Sequence, residues 1–186
     1  MPDRIPPHQT VTSGFPVLHA GSVPRMPGPR DWRFAIRGLV RRPRILTWED
    51  MLALPRVRIT ADIHCVTGWS KLDVTWEGVP TRAVHALAGA DPRACCVMVH
   101  GANDFSANLT LEDFLAPGCL FAIAVDGRPL SPEHGGPMRL VVPQLYFWKS
   151  AKWVTGLEYL AEERPGFWEE RGYHLHGDPW KEERYW

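Results

Sequence analysis

The stretch Gly136-Pro137-Met138-Arg139-Leu140-Val141-Val142-Pro143, GPMRLVVP, sets an arginine at the head of an otherwise apolar run. Met138 to Val142 reads as a strand, and an unpaired guanidinium there would carry a heavy desolvation penalty. Just upstream, after Glu133-His134, the pair Gly135-Gly136 lets the backbone come close to a ligand. Downstream, Lys149-Ser150-Ala151-Lys152-Trp153 brackets two small residues with lysines, so amides and ammonium groups could converge on an anion. A third polar stretch, His64-Cys65-Val66-Thr67-Gly68-Trp69-Ser70, holds a thiol between a histidine and a Gly-Trp corner. A soft donor, a fork-shaped cation and a lysine-bracketed loop together suggest a large anionic ligand attached to something soft.

Composition narrows the alternatives. The chain has 186 residues, enough for one domain with a substantial core, and 45% of them are hydrophobic. Lys+Arg and Asp+Glu balance at 21 each, which argues against a nucleic-acid partner bound through its phosphates. No apolar run is long enough for a membrane span. The opening Met1-Pro2-Asp3-Arg4-Ile5-Pro6-Pro7 lacks a basic n-region and an apolar h-region, and Arg41-Arg42 is internal, so the expected address is cytoplasmic. The four cysteines, Cys65, Cys95, Cys96 and Cys119, contain no C-x-x-C and read as reduced thiols. Cys95 and Cys96, as strand neighbours, are expected to face opposite ways and not to share a metal.

Along the chain, residues 1–30 are too rich in proline for regular structure. Residues 1–13 read as a flexible N-terminal arm, while Phe15-Pro16-Val17-Leu18 is apolar enough to dock. Residues 14–186 then form one domain. Strands are expected from Trp32 to the turn at Gly38, over Val57–Ile63, Cys96–His100, Leu120–Val125, Met138–Val142 and Lys152–Leu160. Short helices are expected from Thr47, which opens a capping-box pattern, from Thr81 to Ala88, and after Thr110. A loop is expected through Gly68 and a turn at Gly78-Val79-Pro80. Without long crossover helices the fold class is α+β, with mixed sheets and short helices.

The three polar stretches resemble the molybdopterin-binding domain of sulfite oxidase-like oxidoreductases. The carriers are Gly136–Pro143, Lys149-Ser150-Ala151-Lys152-Trp153, and a tail of Pro165-Gly166-Phe167-Trp168 through Gly177-Asp178-Pro179-Trp180 like that of short single-domain members. The resemblance implies a sulfite oxidase-like molybdopterin-binding fold over residues 14–186. It implies molybdenum held in molybdopterin as cofactor, with Cys65 as metal ligand and catalytic centre. Arg139 and Lys152 would contact the pterin or its phosphate, Ser150 and Ala151 would offer backbone groups, and Lys149 would add charge. His134, His100, Leu18 and His19 correspond to further cofactor-lining positions.

Val66-Thr67-Gly68-Trp69-Ser70-Lys71 departs from the arginine-bearing sequence that follows the cysteine in sulfite oxidases proper. It is closer to the catalytic subunit of methionine-sulfoxide reductases, which carries Trp-Ser at that offset. The implied activity is oxygen-atom or two-electron transfer on a small oxyanion or sulfoxide-type substrate. With no haem motif and no dimerisation domain, a separate electron-transfer partner is implied.

Two other readings stand beside this one. His174, His176 and Asp178 could bind zinc, making the chain a zinc-binding interaction module with Cys65 inert. The chain could also be a degenerate family member that holds no cofactor. His64 reads equally as a satisfied core histidine, and the nine tryptophans mainly as packing. Asp104-Phe105-Ser106 is expected to face the open side of the metal.

Overall fold

In the computed structural model, which describes residues 4–186, the alternation of Trp32, Phe34 and Ile36 is expressed as a strand with those three side chains buried. In chain order the elements are β1 (Thr10–Val11), β2 (Arg33–Gly38), β3 (Arg44–Thr47), α1 (Trp48–Leu52), β4 (Val57–His64), β5 (Trp69–Pro80) and α2 (Thr81–Ala88). Then come β6 (Cys96–Gly101), β7 (Ser106–Thr110), α3 (Leu111–Phe114), β8 (Leu120–Val125), β9 (Arg128–Pro129), β10 (Arg139–Val141) and β11 (Val154–Leu160). The three helices are short, and the strands form two sheets. The architecture is mixed α+β.

One sheet has six strands, with the path β1-β5-β8-β10 flanked by β4 on β5 and β9 on β8. The other has five, in the order β3-β2-β11-β6-β7. Most pairs are antiparallel, as short connections require, but β1–β5 and β2–β11 are parallel. The sheets share a core, in which Phe34 of β2 meets Phe121 of β8 edge-on at 5.2 Å. A second cluster around Ile63, Val74, Trp76 and Val141 packs within the six-stranded sheet.

Local chemistry sets several boundaries. Thr47 caps α1 in a full capping box with Asp50, whose carboxyl is held below the usual range by the Thr47 backbone and hydroxyl. Gly89 ends α2 in the left-handed conformation that glycine tolerates. Two elements differ from the sequence expectation. Gly78-Val79-Pro80 is the end of the twelve-residue strand β5, not a turn, and Ser106–Thr110 is a strand.

The arm also differs. Residues 1–3 of the segment expected to be flexible lie outside the described residues. From Arg4 onward the arm is laid against the body: Arg4 donates to Asp62 and Asp73, and β1 runs parallel to Trp69–Ser70. Phe15 stacks on His134 at 4.2 Å and touches Trp76 and Phe147.

Candidate active site

Cys65 follows the last residue of β4 and is gripped by a tight turn. Its amide donates to the Trp69 carbonyl at 2.8 Å, and its own carbonyl accepts from Gly68 and from the Gln9 amide. The Thr67 hydroxyl donates to the sulfur at 3.2 Å. Behind it, His64 is buried and bonded to Ser70 at 2.8 Å, and burial holds its imidazole down to about 4, with Asp62 pulling partly back. His64 is therefore a neutral, satisfied core histidine that stiffens the turn.

The GPMRLVVP and KSAKW stretches are laced together by backbone. Leu140 donates to Ala151, Val154 to Met138, Trp153 to Gly135, and the Val142 amide to the Ser150 hydroxyl. Arg139, 1% exposed, commits its guanidinium to the carbonyls of His134 (2.9 Å), Ser150 (2.8 Å) and Leu140 (3.3 Å), and lies 4.2 Å from the centre of the Phe147 ring. Burial presses it down to about 9, still a cation at neutral pH. Lys152 donates to the carbonyls of Leu18 (2.9 Å) and Glu133 (2.6 Å). Burial, then the Arg139 charge, lowers it to about 7, with Glu133 acting the other way. Among the described residues neither cation has an ion-pair partner.

Cys65, Arg139 and Lys152 line one cavity of about 560 Å³. Leu18, His19, His134 and Ser150 share its wall. His134 has burial as the main cause of a lowered pKa and is neutral; its Nε2 donates to the Phe15 carbonyl and its Nδ1 accepts from Ser131. Within the lacing the Ser150 carbonyl accepts from Arg139 and its hydroxyl oxygen from Val142, and His19 bonds Gly21.

Three expected positions lie elsewhere. Lys149 points away into a fully buried ion pair with Glu169 at 2.7 Å, shared with the Asn108 side chain and the Leu175 carbonyl. Ala151 is not in the cavity wall; its amide donates to the Lys149 carbonyl and its own carbonyl accepts from Leu140. His100 bonds Glu158 at 2.9 Å in a shallow cleft on the five-stranded sheet, beside Arg37.

The sequence patterns did not disclose the aromatic part of the wall: Phe15, Trp69, Phe147, Trp148, Trp153, Phe167, Trp168 and Tyr173 all face the cavity. Phe105 also lines it, whereas Asp104 and Ser106 do not. Trp153 sits at φ 50, a strained conformation for a bulky residue, anchored by its indole N–H on the Pro132 carbonyl at 2.7 Å. His174 and His176 are both taken up by Glu183, and among the described residues no three His, Cys, Asp or Glu side chains are placed to hold a metal ion.

The residues fit a phosphorylated, sulfur-bearing ligand. Two cations without counter-ions share a cavity with a thiol, and the buried Trp69 indole N–H in its wall has no hydrogen-bond partner among the described residues. At Gly135 a Cβ would meet the Lys152 and Arg139 side chains at 3.0–3.1 Å, so only glycine leaves the cradle open.

Two packed sheets, with loops between their strands forming an aromatic cavity that holds a thiol and two cations without counter-ions, describe a domain built to bind an anionic ligand. Residues 20–168 match the oxidoreductase molybdopterin binding domain, and the chain belongs to that family. It is 49% identical to the uncharacterized oxidoreductase YuiH of Bacillus subtilis (strain 168), over 98% of this chain and 92% of that one. It is 30% identical to the protein-methionine-sulfoxide reductase catalytic subunit MsrP of Gluconobacter oxydans (strain 621H), over 81% of this chain and 55% of that one. The sulfane dehydrogenase SoxCD of Paracoccus pantotrophus superposes with a TM-score of 0.68 and 27% identity, over 74% of this chain and 40% of that one. The chain thus spans about half the length of such larger relatives.

Proposed function

We propose that the chain is a molybdenum-molybdopterin enzyme that moves an oxygen atom or two electrons on a small oxyanion or sulfoxide-type substrate. The observation that carries this reading is the sharing of one cavity by the Cys65 thiol and the uncompensated cations Arg139 and Lys152. When bound, the cofactor would supply two-electron redox chemistry and oxygen-atom exchange at the metal. This chain would supply the rest. Cys65 would be the protein's thiolate ligand, oriented by the Gly68–Trp69 turn and the Thr67 hydroxyl. Arg139 and Lys152 would pair with anionic oxygens of the pterin phosphate, and Gly135 would let the backbone approach. The aromatic wall would exclude water from the rest of the cavity.

Within this reading a separate electron-transfer partner completes the cycle. The similarity to MsrP and SoxCD supports sulfur-centred substrates.

The test is elemental and pterin analysis of protein made in a host that synthesises the cofactor. About one molybdenum per chain, with pterin fluorescence after oxidation, is expected. Zinc alone, or neither metal nor pterin, would overturn the proposal. Cys65→Ser is expected to abolish turnover on a panel of sulfite, sulfoxides and N-oxides while leaving the fold intact, and unchanged turnover would remove Cys65 from the site.

A further inference from the structure

Side chains of adjacent residues on a regular strand point to opposite faces, and that expectation fails at Cys95 and Cys96. Strand β6 begins only at Cys96. Cys95 precedes it, at the exit of a turn closed by the Ala94 amide on Asp91 at 2.9 Å. Its own amide donates to Leu160 and its carbonyl accepts from Leu111, both at 2.9 Å, so the backbone is held on both sides. The result is that the two sulfurs lie 3.2 Å apart. Cys95 is exposed, with its thiol donating to the Ala161 carbonyl at 3.0 Å, whereas Cys96 is 2% exposed. Neither residue lines the cavity, so the chemistry of this pair is independent of what the cavity holds.

We propose that Cys95 and Cys96 form a redox-active vicinal dithiol that hydroperoxides convert to a Cys95–Cys96 disulfide. In the first step the Cys95 sulfur attacks one peroxide oxygen and the O–O bond breaks. Cys95 becomes a sulfenic acid, and the departing hydroxide takes the Cys95 proton to form water. In the second step the Cys96 sulfur displaces hydroxide from Cys95, and the Cys96 proton leaves with it as a second water. Two thiols thereby lose two electrons and two protons, and one hydrogen peroxide becomes two waters.

The exposures assign the order. Cys95 meets the oxidant, while Cys96, whose thiol is pushed up by burial and by the neighbouring Cys95 sulfur, stays protonated and acts second. Neighbouring Cα atoms across a trans peptide are about 3.8 Å apart, closer than the roughly 4.4–6.8 Å of relaxed disulfides. A bond closed here is strained and easily reduced, which suits reversible rather than structural use.

The experiment treats the reduced full-length chain with stoichiometric hydrogen peroxide, alkylates it with N-ethylmaleimide, and maps the digest by mass spectrometry. The peptide carrying both cysteines is expected to be lighter by two hydrogens, to take no maleimide, and to regain both alkylation sites after dithiothreitol. In Cys96→Ser, Cys95 is expected to halt at the sulfenic acid, captured by dimedone. Alkylation of both cysteines after peroxide would overturn the proposal. So would a Cys95 that runs on to the sulfinic acid with Cys96 untouched, or one that links two chains.

Discussion

Lys152 carries a charge where water is scarce, and its titration gives the cavity a measurable signature. In cofactor-free protein it is lowered to about 7, against an ordinary 10.5 that the unfolded chain retains. Below about pH 7 both states hold the proton and the full burial penalty stands. Between the two values the unfolded state binds more protons, so stability should rise with pH across that window and then level off. Urea midpoints of cofactor-free wild type, measured against Lys152→Met, should show a rise between about pH 7 and 9 in the wild type alone, below the range where Arg139 adds its own, and parallel curves there would remove Lys152 as its source. Binding of an anion runs the other way, because it needs the ammonium. Cofactor retention should be fullest below about pH 7 and fall above it, and Lys152→Arg should flatten that fall. Lys149 illustrates the opposite fate of a lysine. Removing its counter-ion by Glu169→Gln should destabilise the fold by about 3 kcal/mol in urea unfolding, since a buried charge is left uncompensated. The double variant Lys149→Met, Glu169→Gln should regain part of that loss; no recovery would mean the ion pair is not what Glu169 sustains. These two lysines also mark how far the site was legible. Cys65, Arg139 and Lys152 stand out because each is polar in apolar surroundings, a signal carried by neighbours in sequence. Lys149 gives the same local signal, but its partner Glu169 lies in a later turn that no sequence spacing connects to it. The aromatic lining was invisible for another reason: Trp148 and Trp168 are the same residue type as the fully buried Trp32 and Trp76, and only the cavity distinguishes their roles.

Glycines inside strands separate element geometry from site chemistry. A Cβ at Gly101, the last residue of β6, would meet the Lys152 carbonyl at 2.5 Å. A Cβ at Gly78 in β5 would meet the Phe121 carbonyl at 2.1 Å, within the pairing of β5 with β8. Alanine at either position should destabilise the fold by about 1–3 kcal/mol through overpacking. Only Gly101→Ala should also lower the molybdenum content of the folded fraction, because it displaces the backbone that carries Lys152. Equal content in the two variants would argue that Gly101 does not position the cavity wall. Gly78 also explains the one long strand the sequence concealed. Gly-Val-Pro reads as a breaker locally, yet here the glycine admits a close backbone crossing, and the proline closes the strand just where α2 begins. Strands with an apolar alternation or a solid apolar run, such as β2, β6 and β8, were legible because burial imposes those patterns directly. The two-residue β1 was not, since its exposed side chains leave only backbone pairing to define it.

At the scale of the whole molecule, the proline-rich N-terminal segment acts as part of the container. Phe15 rests on His134, the Leu18 carbonyl receives Lys152, and the Ser22 carbonyl accepts from Asn103. Deleting residues 1–22 should leave the five-stranded sheet intact but let the cofactor escape, lowering molybdenum per chain several-fold after dialysis. Retention equal to the full chain would show the segment to be dispensable. The order of the five-stranded sheet has a further consequence. Ala35 and Ile36 of β2 pair in parallel with Gly156 and Leu157 of β11, so an early strand waits for a very late one. A nascent chain leaving the ribosome therefore keeps the flank of β2 unpaired through most of translation, an interval open to misassociation. Since walls of the chamber extend from Phe15 to Tyr173, the complete chamber exists only on a polypeptide already synthesised past that tyrosine.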